Sequence, residues 1–299
     1  MDKQIPPIDQ ALVTQLIAAQ FPEWRHLPVR AVDVMGWDNR TFRLGDRLAV
    51  RLPSSASYAP QVVKEFQWLA RLSEQLPLPI PIPVALGKPA FGYPWEWSVN
   101  HWLSGVPLSQ IALNNRVYVA RDLADFLHAL RHIDATQGPP AGEQNFHRGG
   151  LLSFYDHEVQ TALGLISGEF DQKRIKQIWS AAMGTHWANV PVWVHGDIAD
   201  GNLLVTADRL SAVIDFGQLG VGDPACDTSI AWSSFNEPAR EQFKVALGLD
   251  DDTWLRGAAW ALWKALIIVT GQIQANRNRL LQAEQVIREV SKASLLGQY

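Results

Sequence analysis

Three groups of residues stand at fixed offsets late in the chain. They are His195-Gly196-Asp197, Asn202 five positions after that aspartate, and Asp215-Phe216-Gly217 thirteen positions beyond Asn202. Asp197 supplies a carboxylate that can orient a hydroxyl and take its proton. Asn202 and Asp215 supply an amide and a second carboxylate that can hold Mg²⁺ against nucleotide phosphates. This is the set that phosphoryl transfer requires. H-x-D-x-x-x-x-N followed by D-F-G is far more specific than a lone glycine loop. One Asp in a loop is an ordinary turn residue, but five matching residues in register are not explained that way.

The neighbouring segments must bring these groups together. Leu203–Val205 and Leu210–Ile214 are short apolar runs around Thr206-Ala207-Asp208-Arg209, the pattern of a β-hairpin. Folding that hairpin carries Asn202 and Asp215 to one open end. Val192-Trp193-Val194 reads as a strand feeding His195. Asp223 before Pro224 marks a helix start, which places Asp227 one turn in, as a brace beneath the His195 loop. An aspartate favoured by the helix dipole is the plainer alternative.

The first third reads as a nucleotide clamp. Expected strands are Ala31–Met35, Arg40–Leu44 and Leu48–Leu52, with a turn at Gly36-Trp37-Asp38-Asn39 and another at Gly45-Asp46. Period two puts Leu48, Val50 and Leu52 on one face and Ala49 and Arg51 on the other. An adenine over Ala49 with Arg51 on the phosphates fits that face. The helix expected from Pro60 to about Leu72 has an apolar stripe through Val62, Phe66 and Leu69. Glu65 lies on this stripe, and an inward carboxylate needs a partner; Arg51 is the candidate. Pro77 to Pro83 alternates proline and must be extended. Val84–Gly87 and Trp95–Leu103 read as two more strands, and the backbone from Ser98 to Trp102, with Asn100 between, is where a hinge would meet a base edge.

Elsewhere, Gln10–Gln20 and Val117–His132 are expected helices, the second carrying Val119, Leu123, Phe126 and Leu130. His128 and His132 have the i, i+4 spacing of zinc helices, but no third ligand accompanies them. Ala258–Val269 is apolar, yet too short and too charged to span a bilayer, and reads as a buried helix. No repeat at solenoid spacing is present.

The 299 residues suffice for two lobes with ample core, and 47% hydrophobic content is that of a globular protein. The net charge of −4 argues against nucleic-acid binding, and no membrane partner is expected. A single cysteine, Cys226, excludes an intramolecular disulfide, and no leader pattern opens the chain, so the cytoplasm is the expected compartment. Residues 101–299 carry 16 basic and 21 acidic side chains, a balance suited to a cationic small molecule.

Together these motifs resemble the aminoglycoside phosphotransferase family, relatives of protein kinases that include choline, homoserine and fructosamine kinases. The resemblance runs from about Ala31 to Gly105 and from Val192 to Trp232. It implies an α+β, two-lobed, protein-kinase-like fold. A small five-stranded antiparallel lobe (residues 1–105, hinge near 98–105) would join a larger, mostly helical lobe (106–299). It also implies Mg²⁺-dependent transfer of the γ-phosphate of ATP or GTP to a hydroxyl of a small molecule, most often an aminoglycoside, and hence antibiotic resistance. A macrolide or a metabolite alcohol is the alternative acceptor. Asp197 takes the role of catalytic base, and Asn202 and Asp215 those of metal ligands. Arg51, Glu65, Ala49, Asp38, Asn39, Ser98 and Asn100 are the expected nucleotide-binding residues, with His195 and Asp227 supporting the loop.

Two departures accompany the resemblance. Arg51 stands where the kinase pattern has lysine, and Met35-Gly36-Trp37-Asp38-Asn39 lacks G-x-G-x-x-G, which leaves Asp38, Asn39 and Arg40 to cover the phosphates. An aminoglycoside would want carboxylates around its pocket, and Glu143, Asp156, Glu158, Glu237 and Asp250 are candidates, although solvated surface acids are the plainer reading of each. The 13 Trp residues, Trp232, Trp254, Trp260 and Trp263 among them, fit core packing better than sugar stacking. A non-catalytic nucleotide-binding protein and a metal-dependent hydrolase are the rival functions.

Overall fold

Alternation along the early strands builds a sheet with two unlike faces. The computed structural model describes residues 6–32, 38–111 and 116–296. Helix α1 (Gln10–Gln20) starts at Asp9, whose side chain accepts the Leu12 N–H at 2.9 Å, and buries Leu12, Val13, Leu16 and Ile17. Strands β1 (Val29–Ala31), β2 (Asn39–Leu44) and β3 (Leu48–Pro53) follow, then helix α2 (Ala59–Ser73) and strands β4 (Pro83–Gly87) and β5 (Trp97–His101). The five strands form one antiparallel sheet in the order β1-β2-β3-β5-β4. Phe42, Val50 and Val99 sit opposite one another across β2, β3 and β5, and with Leu52 and Trp97 they pack in one core with α1. Ala49 pairs with Asn100, and Arg51 with Ser98, on the other face. One face is oily; the other is polar.

Three expectations need correction. The first strand is Val29–Ala31, entered from Pro28 and paired with Phe42–Leu44, and not Ala31–Met35; residues 33–37 lie outside the described residues. The fifth strand is shorter than Trp95–Leu103, ending at His101. Phe66 is 43% exposed, because the buried stripe of α2 runs through Val62, Glu65, Leu69 and Leu72, and Phe66 stands about 100° round from Glu65. Trp68 is buried in its place.

The remainder is mostly helical. Strand β6 (Val106–Pro107) precedes α3 (Arg116–His132), α4 (Asp156–Leu165) and α5 (Gln172–Met183); then come β7 (Val192–Val194), β8 (Leu203–Thr206), β9 (Arg209–Val213) and β10 (Gly220–Gly222). Helices α6 (Ile230–Ser233), α7 (Glu237–Leu247), α8 (Asp251–Val269) and α9 (Arg277–Lys292) complete it. Val119, Leu123, Phe126 and Leu130 of α3 are fully buried. Helix α8 is buried on all sides from Thr253 to Trp263, its one cation there, Arg256, held by Asp223 at 2.6 Å. Among the described residues no helix is long and apolar enough to cross a membrane.

Strands β8 and β9 make the expected hairpin. Its turn residues Ala207 and Asp208 both have positive φ, 49° and 62°, the twist that a two-residue hairpin demands. The segment expected to begin a helix at Pro224 is a 3-10 turn, Pro224–Thr228, capped by Asp223 through the Ala225 N–H.

Candidate active site

The His195 loop and the Asp215 segment are joined by a buried imidazole. Strand β7 ends at Val194, and His195 follows with no exposed surface. Asp197 donates its N–H to His195 Nδ1 at 3.2 Å, so that nitrogen carries no proton, and Nε2 donates to the Ile214 carbonyl at 3.1 Å. The ring also packs on Phe216, 4.4 Å between centroids. A backbone bond from Ile214 N–H to the Asn202 carbonyl at 2.9 Å closes the open end of the hairpin. Asp197, Asn202 and Asp215 therefore meet at one place, each on a segment fixed by the same few bonds.

Gly196 is required twice over. Its φ is +84°, and a Cβ there would stand 2.4 Å from the Gln218 carbonyl oxygen. Beneath it, Asp227 accepts the His195 N–H through Oδ2 at 2.7 Å and the Gly196 N–H through Oδ1 at 2.8 Å. Burial raises the Asp227 carboxyl above its ordinary range, while the two N–H bonds pull it back. Cys226 lies beside it, with Sγ 3.8 Å from Asp227 Oδ1, and burial together with Asp227 pushes this thiol well up.

Asn202 turns its amide nitrogen to Asp197, 2.8 Å from the carbonyl oxygen and 3.3 Å from Oδ2. Its Oδ1 is left without a hydrogen bond among the described residues. Asp215 has a left-handed backbone, φ 67° and ψ 67°, an uncommon setting for a residue with a side chain. Its Oδ1 accepts from Arg51 Nη2 at 2.9 Å. Magnesium takes hard oxygen donors and retains water or phosphate oxygens in its shell. The free oxygens of Asn202 and Asp215 suit that ion.

On the small-lobe side, Arg51 Nη1 donates to both oxygens of Glu65, at 3.1 and 2.9 Å. Burial opposes both charges, but Glu65 and Asp215 outweigh it at Arg51, whose pKa rises; at Glu65 burial prevails over Arg51 and the carboxyl is raised. Ala49 lies on the same sheet face. Ser98 and Asn100 also share this face but sit inside β5, 1% exposed each, and Asn100 Nδ2 is committed to the Pro81 carbonyl at 2.9 Å. His101 is the first exposed residue after Trp97 in β5. Beyond it, Gly105 (φ +143°) passes so close to the hairpin that a Cβ would lie 2.8 Å from Leu204 Cβ.

Asn39 is buried and pairs with Pro53. Asp38 precedes it at the edge of the cleft, where Gln61 Nε2 reaches Oδ2 at 3.5 Å. Burial, then the charges of Asp215 and Asp197, push the Asp38 carboxyl up to about 6. Lys64 ties α2 to the larger lobe, donating to the carbonyl and Oε1 of Gln144 at 3.2 and 2.8 Å.

A pocket of about 300 Å³ opens beside Asp197. Ile198, Ala261, Ala265, Ile268 and Val286 give it apolar walls. Among the described residues its cations are Arg148, Lys264 and Arg279, and its acids Asp197 and Asp200. None of the five acids considered for a cationic acceptor lines it. Asp156 and Glu158 accept the indole N–H groups of Trp179 and Trp263, each at 2.7 Å, and Asp250 caps α8. Glu143 and Glu237 lie in the first turns of a 3-10 segment and of α7. Trp232, Trp254, Trp260 and Trp263 are buried. His128 and His132 stack 4.2 Å apart, and no metal-holding group of three His, Cys, Asp or Glu occurs among the described residues.

Sequence reasoning missed Arg148, Lys264, Arg279 and Arg116. Arg116 is buried, bonded to Asp200 Oδ2 at 3.1 Å and to the Ser234 carbonyl at 2.6 Å. No local motif marks any of the four, since the chain brings them together over long sequence separations.

The profile of the phosphotransferase enzyme family matches residues 31–261, most of the chain. The protein belongs to this family. No curated protein sequence matches it. Among solved structures, the GDP complex of aminoglycoside 2'-phosphotransferase-IIIa is similar over 95% of this chain and 98% of its own, at 17% identity and a TM-score of 0.73. The streptomycin–ATP ternary complex of APH(2")-IIa covers 94% and 96%, at 16% identity and 0.61. The macrolide 2'-phosphotransferase MphH from Brachybacterium faecium covers 92% and 97%, at 20% identity and 0.62. At such identities the likeness is one of fold, and it bears out the two-lobed, kinase-like architecture expected of the family.

Proposed function

We propose that the protein transfers the γ-phosphate of ATP or GTP to a hydroxyl of a small molecule, with Mg²⁺ present. The observation that carries this reading is the His195 junction, which holds Asp197, Asn202 and Asp215 at one end of a hairpin facing Arg51. The acceptor oxygen forms a bond to the γ-phosphorus as the bridging oxygen leaves with the nucleoside diphosphate. Asp197 orients the hydroxyl and receives its proton. Arg51 binds the phosphates and Glu65 positions Arg51 from α2. Asn202 and Asp215 would hold the metal through their free oxygens, and bound Mg²⁺ supplies neutralisation of phosphate charge. His195 and Asp227 keep the loop in place, and the chain's own contribution is positioning and charge.

Ala49 and the backbone beyond His101 are the surfaces that support base binding, with Asp38 and Asn39 at the phosphate end. Ser98 and Asn100 support it from beneath, as parts of β5. Solved neighbours include enzymes whose complexes contain GDP, ADP or ATP, and kanamycin, streptomycin or gentamicin. They favour an antibiotic acceptor, whereas the charge of the pocket disfavours a polycation.

The test is nucleotide consumption with Mg²⁺, ATP and GTP separately, across aminoglycosides, macrolides and metabolite alcohols. Acceptor-dependent turnover that drops about a thousandfold or more in Asp197→Ala, with nucleotide binding retained, is the expected result. Near wild-type turnover in that variant refutes the mechanism.

A further inference from the structure

The pocket beside Asp197 is the space open to an acceptor, and its charge is the reverse of what an aminoglycoside needs. We propose that the acceptor carries an anionic group, a carboxylate or a phosphate, that Arg148, Lys264 and Arg279 hold while its hydroxyl faces Asp197. The proposal rests on the phosphotransferase reading above and names its substrate class.

The three cations come from distant parts of the chain: the loop before α4, helix α8 and helix α9. None has a carboxylate within 4 Å among the described residues. Arg148 is the most firmly set. Asn145, fully buried, donates Nδ2 to the Arg148 carbonyl at 3.0 Å, and Arg148 Nε donates to Gln218 Oε1 at 3.0 Å. Its guanidinium lies 5.1 Å from the ring of Trp260 and 4.8 Å from that of Trp263. Its two terminal nitrogens make no hydrogen bond among the described residues. A planar fork held in this way is suited to bidentate capture of an oxyanion.

Lys264 stands within the buried stretch of α8, between buried Trp263 and Ala265, itself half-buried and with no hydrogen bond or ion pair among the described residues. Burial and the nearby charge of Arg148 lower its pKa, and Asp197 is among the charges that act on it. An ammonium so placed gains from an anion and loses from a second cation. Arg279 is half-buried at the pocket's edge, and its guanidinium makes no hydrogen bond or ion pair among the described residues.

The acids do not balance these cations. Asp200 is already paired with Arg116 at 3.1 Å, which leaves Asp197 as the one acid lining the pocket without an ion pair among the described residues. About 300 Å³ is at the small end for ligand sites. A compact hydroxy acid or sugar phosphate suits that volume, with Ile198, Ala265 and Val286 against its carbon skeleton and Ser229 and Gln282 at its polar edges.

The experiment is calorimetric titration of the full chain, loaded with Mg²⁺ and a non-hydrolysable nucleotide. The probes are glycerate, gluconate, glycerol 3-phosphate, glucose 6-phosphate, glycerol, glucose and kanamycin, each also assayed for turnover with ATP and GTP. At least one anion is expected to bind tenfold or more tightly than its neutral counterpart. Carboxylate and phosphate members tell the two sources apart. Lys264→Met and Arg279→Gln should weaken that anion at least tenfold more than they weaken nucleotide. Tighter binding of kanamycin or of a neutral alcohol than of every anion overturns the proposal. So does an equal loss of nucleotide affinity in the variants, which would assign the cations to nucleotide phosphate. Turnover of kanamycin refutes the anionic acceptor and leaves phosphoryl transfer intact. Anion binding abolished by Lys264→Met, with no turnover of any probe, upholds the pocket and refutes the transferase reading.

Discussion

Arg51 Nη2 and Asp215 Oδ1 stand 2.9 Å apart, joining the small sheet to the hairpin segment of the larger lobe. The same guanidinium holds Glu65 on α2 through its other terminal nitrogen. Three elements thus share one planar cation, which accounts for arginine where the kinase pattern has lysine: a single ammonium is a point charge and does not present two forks. Arg51→Lys is expected to keep the fold and lose about 100-fold in kcat/KM for nucleotide. Arg51→Ala should lose still more. Steady-state kinetics with melting curves separate these from unfolding, and a fully active lysine variant would contradict the bridging role.

Gly196→Ala places a methyl against the Gln218 carbonyl and forces a left-handed residue to carry a side chain. The cost should be about 2–4 kcal/mol, read as a fall in the urea midpoint. Unchanged stability would mean that the loop has an alternative path.

Removing the Asp227 carboxylate leaves the His195 and Gly196 N–H groups buried and unpaired. Asp227→Ala should cost roughly 1–3 kcal/mol for each. Asp227→Asn keeps an acceptor for one of them and should fall between wild type and alanine in equilibrium unfolding.

On the proposed reading Asn202 offers Mg²⁺ one of two protein oxygens, and Asn202→Ala removes it. The Mg²⁺ concentration for half-maximal turnover should rise about tenfold or more, with nucleotide binding in the absence of metal little changed. A titration of activity against Mg²⁺ reads this directly.

Asp38 sets a pH dependence of the nucleotide-free protein. Its pKa is raised from 3.8 to about 6 on folding, chiefly by burial. Between those values the folded state binds more protons than the unfolded, so the contribution of this group to stability falls as pH climbs from about 4 to 6. Asp38→Asn should therefore match wild type near pH 4 and exceed it by a constant margin above pH 6. Denaturation at several pH values checks the shape of that curve.

Much of the site was legible because its chemistry is local. Asp197, Asn202 and Asp215 are linked by a single hairpin, and the hairpin announces itself through two apolar runs and a polar turn. Arg51 and Glu65 were paired by the conflict between an inward carboxylate and an apolar stripe. The pocket beside Asp197 was not legible, because Arg148, Lys264 and Arg279 converge only after α8 and α9 pack. Net charge misled there: the acids of the larger lobe cap helices and receive indole N–H groups, while the cations face the cavity. Ser98 and Asn100, expected at a hinge, lie buried within β5, a placement that only its pairing with β3 reveals.

The lone thiol of Cys226 sits 4% exposed beneath the His195 loop, on the wall of the pocket beside Asp197, and burial and Asp227 hold its pKa well up. A buried thiol held protonated is expected to react slowly with maleimides and other alkylating labels. Cysteines introduced at Val63 on α2 and Val245 on α7, both exposed, would be the two reactive positions on the molecule. A dye pair there would read the distance between α2 and α7 with and without nucleotide, with little background from Cys226.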